Sequence, residues 1–245
     1  MALVERHDED GLCTLVLNRP EALNALSPSL FVELREHLER IATEIDAVGC
    51  VILAGAGRSF SAGNDLKAIQ AGELPPSEHF QAETLERIER LPQPVIAAVQ
   101  GHCYTGSLEL ALACDLMICA RSARFADTHG KWGMSPRWGM SQRLPRRVGL
   151  LAAKEMMFSG RVIGGEEAAR IGLANECVDD DRLLPRAIEM ARAFLANSWF
   201  TLRADKMLVN AGLDRTLADG LRYEREEGPG RAPDSADRVR RFMAK

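Results

Sequence analysis

Apolar positions along this chain switch between two periods. Residues Leu12–Leu17 alternate weakly, the two-residue period of a strand, and run into the turn-prone Asn18-Arg19-Pro20. Ser27-Pro28 then supplies an N-cap and a first-turn proline, and Phe31, Leu34, Leu38, Ile41 and Ile45 recur at helical spacing. A short apolar run at 50–54 predicts a second strand, which empties into GAGRSFSAGNDL. Residues 81–91 predict a helix closed by Pro92 and Pro94, and Val95–Val99 a third strand. The loop GHCYTG, the apolar segment SLELALAC and the strand DLMICA follow. Strand, helix, strand at this spacing is a βαβ unit, so the sheet is expected to be parallel. Beyond 150 the pattern turns helical, over 150–158, 165–172, 182–196 and 201–208. A tail rich in Gly, Pro and charge then precedes a last short helix at 234–242.

Composition narrows the function. The 245 residues are 46% hydrophobic and 27% charged, an ordinary globular balance. The formal net charge of −4 argues against nucleic-acid binding, which needs clustered positive charge. No run approaches the ~18 apolar residues of a membrane span, and the acidic start MALVERHDED lacks a signal pattern. Six cysteines without a C-x-x-C pair read as reduced, mostly buried thiols, so a cytoplasmic protein is expected.

Several familiar motifs fail on spacing. After Gly55 and Gly57 the next glycine is Gly63, too late for a dinucleotide fingerprint, and no P-loop occurs. Ser107 follows Gly106 directly, which breaks the nucleophile-elbow pattern. His102, Cys103, Cys114 and Cys119 lack the short chelating pairs of a zinc site. Two glycine-bearing loops remain, FSAGNDL and YTGSLEL, each after a buried strand and before a helix. Free N–H groups at such junctions favour negative charge, and two facing loops could offer two donors to one oxygen. Ordinary turns would have the same glycines. Glu109 lies among leucines one turn after Gly106. It is either a first-turn Glu favoured by the helix dipole or a desolvated carboxylate suited to acid–base work.

With these residues in hand, the chain resembles the crotonase (enoyl-CoA hydratase/isomerase) superfamily. The resemblance is carried by LNRPEALNAL, GRSFSAGNDLKAI, the stretch from IAAVQGHCYTGSLELALACDLMICA to RFADTHGKWGMSPRWGMSQRLPRRVG, and SGRVIGGEEAARIGLANECV, in order along nearly the whole sequence. It implies an α/β fold, a spiral of ββα units over 1–195, with a helical C-terminal region over 196–245 that makes oligomer contacts. Homotrimers or homohexamers are the implied assemblies, with neither nucleic acid nor membrane as partner.

The resemblance also implies roles. Members bind acyl-CoA thioesters and hold the thioester oxygen with two backbone N–H groups, which fall on Asn64 and Gly106. CoA contacts fall on Ala22 and Leu23, on Ala62, Asp65, Leu66 and Lys67, and on Phe242 with Lys245. That last pair resembles an aromatic and a lysine that reach a neighbour's adenine and phosphate. Hydratases of the family use two glutamates around one water. Glu109 matches the first, and the second position falls on His129 in FADTHGKWG. Imidazole can serve as acid or base there, a role worth roughly 10²–10⁴-fold, or it can be a structural histidine. Asp127 and Thr128 match positions that do not point at substrate. Thr105 and Ser107 replace glycines beside the oxyanion hole, and Trp132 and Trp138 are either core packing or the wall of an acyl pocket.

The function expected is therefore hydration of a 2-enoyl-CoA through an enolate, with Glu109 and His129 as the catalytic pair. The alternatives are double-bond isomerisation by Glu109 alone and non-catalytic acyl-CoA binding. No cofactor is expected, because CoA is the carrier part of the substrate.

Overall fold

The computed structural model describes residues 2–244. Its strands are β1 Val4–Glu9, β2 Leu12–Leu17, β3 Cys50–Gly55, β4 Val95–Val99, β5 His102–Tyr104, β6 Leu116–Ala120, β7 Arg124–Ala126, β8 Ile163–Gly164 and β9 Glu176–Val178. Its helices are α1 Pro28–Thr43, α2 Leu66–Gln70, α3 Phe80–Arg90, α4 Gly106–Leu112, α5 Met140–Val148, α6 Leu150–Ser159, α7 Gly165–Arg170, α8 Leu183–Leu195, α9 Trp199–Gly212, α10 Leu217–Glu227 and α11 Ser235–Met243.

The larger sheet has the order β1-β2-β3-β4-β6-β9 and is parallel except for the β1–β2 hairpin. Asp10 and Gly11, at φ 47° and 83°, make that hairpin turn, which needs positive φ at both central residues. A smaller sheet, β5-β7-β8, lies beside it. The chain alternates between the two: β4 and β6 enter the large sheet, and β5 and β7 follow them into the small one. The expected parallel βαβ architecture is therefore present, with a second strand in each turn.

The continuous apolar runs are explained by burial on both faces of the large sheet. Val51, Leu53, Val95, Ala97, Val99, Met117 and Cys119 face the larger core with α1, α3 and α4. Cys50, Ile52, Ile96, Ala98, Ile118 and Ala120 face the other way, onto α8. Ala187 and Ala191 on α8 are fully buried there, and their small side chains let the helix lie close to the strands.

Eight elements are not predicted by the sequence pattern: β1, α2, β5, β7, α5, β8, β9 and α10. β1 is almost wholly polar, VERHDE, because it is an edge strand; its start is held by Glu33, whose carboxylate accepts from the Leu3 and Val4 amides. β5 lies in what reads as loop and pairs with β7 in parallel. α5 contains Pro145 but is anchored by buried Met140 and Leu144, and by Arg143, which forks onto Glu89. α10 occupies a stretch in which the sequence showed no helix.

The helices after α8 are tied to the body by a half-buried ion pair. Lys206 on α9 reaches the Asp115 carboxylate at 2.7 Å and the Gln93 carbonyl at 3.0 Å. Asp115 also accepts from the Val95 amide. Burial pushes the Asp115 carboxyl up despite the pull of Lys206, so the pair depends on that lysine. Replacing Lys206 by Ala leaves a half-buried carboxylate without its cation. It is expected to destabilise the protein by about 2 kcal/mol in denaturant unfolding, the usual worth of a hydrogen bond to a charged group; a loss under about 0.5 kcal/mol, the range of an ordinary surface change, would show that the latch is dispensable.

Candidate functional site

Three loops converge where strands of both sheets end. The first, residues 18–27, is bent by Leu23 and Asn24, with φ of 51° and 53°. The Asn24 amide nitrogen donates to the carbonyls of Ala56 and Ser59, each at 2.8 Å, and its oxygen accepts from the Arg19 amide. A short polar side chain bonded to nearby backbone is what makes left-handed backbone tolerable. This loop zips onto the FSAGNDL loop: Ala62 N–H donates to Leu23, Leu26 N–H to Gly63, and Asp65 N–H to Leu26.

Gly63 sits at φ 102°, and a Cβ there would stand 2.6 Å from the Tyr104 carbonyl oxygen and 3.9 Å from the Gly106 nitrogen. Only glycine allows this approach, which seats the FSAGNDL loop directly on the YTGSLEL loop. The Ser107 hydroxyl completes the seam, 2.8 Å from the carbonyl oxygens of both Ser61 and Tyr104. The Asn64 and Gly106 amides donate to no acceptor among the described residues. Both amides are thus unpaired on two loops that pack directly on each other.

Glu109 is 1% exposed on α4. Its Oε1 accepts from the backbone amides of Trp138 and Met140, at 3.1 and 2.9 Å. Its Oε2 lies 3.9 Å from His129 Nε2. Burial pushes the carboxyl pKa up; the two amides and His129 oppose this without cancelling it, and the charge of Asp127 adds to it. The carboxylate reading of Glu109 thus has a geometric basis beyond the helix dipole.

His129 follows β7. Its Nδ1 lies 2.6 Å from Asp127 Oδ1, and its own amide donates to the same oxygen at 3.0 Å. Burial disfavours the imidazolium, but the hydrogen bond and charge of Asp127, with the charge of Glu109, outweigh it and raise the pKa. Asp127 is the participant that the sequence reading passed over. Its signal was the Asp-x-His spacing, in which an aspartate accepts from the amide two residues on. A Glu109–His129–Asp127 array results, and an oxygen held ~2.8 Å from both Oε2 and Nε2 would subtend about 90° between them.

Other candidates are placed as follows. Asp65 is buried: its carboxylate caps α2 through the Ala68 amide and binds Arg19 at 2.7 Å, which leaves its backbone, with Ala62, along the loop edge. Leu66 and Lys67 are exposed on α2, and Ala22 and Leu23 are half-buried on the first loop. Phe242 is exposed on α11, far along the chain from the loops, and Lys245 lies outside the described residues. Trp138 packs edge-on against Phe31 and covers Gly106, whereas Trp132 is 63% exposed and belongs to no core.

Two free amides, on loops next to a buried carboxylate and an imidazole, can stabilise an oxyanion while a proton moves. The profile of the enoyl-CoA hydratase/isomerase family matches residues 7–228. A probable enoyl-CoA hydratase of Rhizobium meliloti is 38% identical over 91% of this chain and 86% of its own. The 1,2-epoxyphenylacetyl-CoA isomerase of Escherichia coli is 34% identical over 100% of this chain and 97% of its own. The crystal structure of enoyl-CoA hydratase from Bacillus anthracis superposes with a TM-score of 0.92 at 34% identity, covering 99% of this chain and 96% of that one. This chain belongs to the enoyl-CoA hydratase/isomerase family.

A raised carboxyl pKa has a stability consequence. Glu109 favours folding only while protonated; that contribution is complete below the ordinary glutamate value and is lost as pH rises through its higher folded value. Glu109→Gln keeps an oxygen for the two amides and removes the charge. Its melting temperature should exceed the wild type's at pH 7.5, and the gap should shrink towards pH 4. A variant that melts lower at pH 7.5 would mean that the charge is fully compensated.

Proposed function

We propose that this protein hydrates a 2-enoyl-CoA to the 3-hydroxyacyl thioester. The observation that carries this reading is the pairing of a buried carboxyl and an imidazole, Glu109 Oε2 and His129 Nε2, 3.9 Å apart. The thioester oxygen accepts from Asn64 N–H and Gly106 N–H. A water held between Oε2 and Nε2 attacks C3. Because Asp127 accepts from Nδ1–H, neutral His129 presents a lone pair at Nε2 and takes the water proton. The C2–C3 π pair moves to the thioester oxygen as an enolate, which the two amides stabilise; one such donor is typically worth ~2.7–4 kcal/mol. Glu109, whose protonated form burial favours, delivers its proton to C2, and the proton on His129 returns to it to reset the pair. One water is added and no charge is left behind. This chemistry calls for no cofactor beyond the CoA that the substrate carries.

The same reading assigns Ala22, Leu23, Ala62, Leu66 and Lys67 to the CoA path and a trimer or hexamer as the assembly, with exposed Phe242 reaching a neighbour's adenine. We place the protein in the cytoplasm, consistent with its six free cysteines; no helix of the described residues is long and apolar enough to cross a membrane. Phe242→Ala should weaken CoA binding several-fold in calorimetry without changing kcat. Unchanged affinity would remove Phe242 from the CoA site.

The decisive assay follows the conjugated-thioester absorbance of a short 2-enoyl-CoA. It should fall as the 3-hydroxyacyl product appears. Glu109→Gln and His129→Ala should each lower kcat by roughly 10²–10⁴-fold, the usual worth of a general acid or base. Full hydration by His129→Ala would remove His129 from the acid–base pair, and conversion of a 3-enoyl-CoA to the 2-enoyl isomer without hydration would move the assignment to isomerisation by Glu109 alone. Binding of the CoA ester without turnover of 2-enoyl or 3-enoyl substrates would reduce the protein to a binding module.

A further inference from the structure

Thr105 stands between the two halves of the site in a backbone conformation that a β-branched residue rarely adopts, φ 51° and ψ −108°. Glycine would take it freely. The side chain must therefore make an interaction that glycine cannot. Its hydroxyl lies 2.6 Å from the Thr128 hydroxyl and accepts from the Thr128 amide at 3.0 Å. The Thr105 backbone holds the same two loops: its amide donates to Ala126, and its carbonyl accepts from the Glu109 amide. One residue thus touches the start of α4, the neighbour of the Gly106 amide, and the peptide immediately before His129.

We propose that Thr105 is a positioning residue that acts through His129, its hydroxyl clamping Thr128 so that the imidazole is held facing Glu109. The β5–β7 pairing ends at Tyr104 and Ala126, and the clamp extends it two residues into the site. Beyond Thr128 the chain turns at once, with the His129 amide and Nδ1 both on Asp127. Without the Thr105 hydroxyl, the Thr128 amide loses its acceptor and nothing from the oxyanion loop restrains that turn. Displacement of about 1 Å is enough to cost much of a catalytic contact. The charged groups that act on the imidazole are the carboxylates of Asp127 and Glu109, and neither carboxylate is hydrogen-bonded to Thr105, so the clamp works by placement.

The inference rests on the acid–base role given to His129 above, and the experiment separates the two. Thr105→Gly, Thr105→Ser, His129→Ala and the Thr105→Gly/His129→Ala double variant are compared on a 2-enoyl-CoA. Thr105→Gly should lower kcat about 10- to 30-fold, part of the 10²–10⁴-fold that an acid–base group supplies, with little change in KM. Thr105→Ser, which keeps the hydroxyl, should recover to within about threefold of wild type, and Thr128→Val, which loses the hydroxyl–hydroxyl bond but keeps the amide one, should fall between Thr105→Ser and Thr105→Gly. In the His129→Ala background the glycine substitution should cost less than about twofold, because its route is already gone. An equal cost in both backgrounds would show that Thr105 supports the Gly106 amide instead, and an undiminished Thr105→Gly enzyme would also overturn the clamp. The melting temperature of Thr105→Gly should match or exceed the wild type's, since backbone strain is relieved. Finally, the His129 imidazole is titrated by NMR, assigned by its loss in His129→Ala. Its midpoint should move towards the ordinary value of about 6.5 in Thr105→Gly and not in Thr105→Ser. An unmoved midpoint overturns the proposal. If the wild type hydrates no enoyl-CoA, the hydratase reading fails, and this titration alone decides the clamp.

Discussion

A carboxyl group taken out of water among leucines must find hydrogen-bond donors, and Glu109 finds two in the backbone of the segment that faces it, Trp138 N–H and Met140 N–H. Much of the site hangs on that interaction. It fixes residues 138–140 against α4, and so fixes the Trp138 ring, which lies over Gly106 and against Phe31. Arg143 reinforces the same turn by bonding the Trp138 carbonyl while holding Glu89. Because Oε1 is occupied by these donors, Oε2 is left directed at His129. The geometry that makes Glu109 reactive is the geometry that holds the wall in place, and burial exacts a cost in stability for it.

The sheets explain how residues twenty positions apart meet. β5 and β7 run parallel and side by side, with Tyr104 opposite Ala126. Their ends therefore release two loops at the same level: one becomes α4 with Gly106 and Glu109, the other the Asp127–His129 turn. The FSAGNDL loop after β3 joins them, bridged where Ser61 pairs with Cys103. A crevice past the carboxyl ends of parallel strands is where α/β proteins generally bind ligands. Here the second, smaller sheet supplies the loop that opens α4 and the Asp127–His129 turn.

What could be read from the sequence follows from what each signal depends on. The strands β3, β4 and β6 were plain because burial on both faces demands unbroken apolar runs. β1 was invisible for the opposite reason: its outward side meets water, and its start is capped by the carboxylate of distant Glu33. β5, at three residues, is too short to carry a period. Of the site, the glycines and Glu109 stood out because only glycine fits a close approach and a glutamate among leucines is conspicuous. The hydroxyl clamp between Thr105 and Thr128 had no such signal, since a threonine in a loop looks ordinary until its φ is known. Asp127 lay within reach, two residues before His129, but its meaning depended on the imidazole turning back towards it.

The histidine moves the second carboxylate away from the place where hydratases with two glutamates keep it. Asp127 bonds Nδ1, on the far side of the ring from Glu109, so that carboxylate stands one imidazole ring farther back. An enolate formed at the two amides would meet less repulsion from a carboxylate at that distance. The same displacement makes the base dependent on alignment: a carboxylate offers two equivalent oxygens, whereas an imidazole offers one nitrogen in one direction. A site that exchanges a carboxylate for an imidazole gains in charge placement only if the ring is held still, and in this fold the holding is done by Asp127 from its own turn and by Thr105 from the loop opposite.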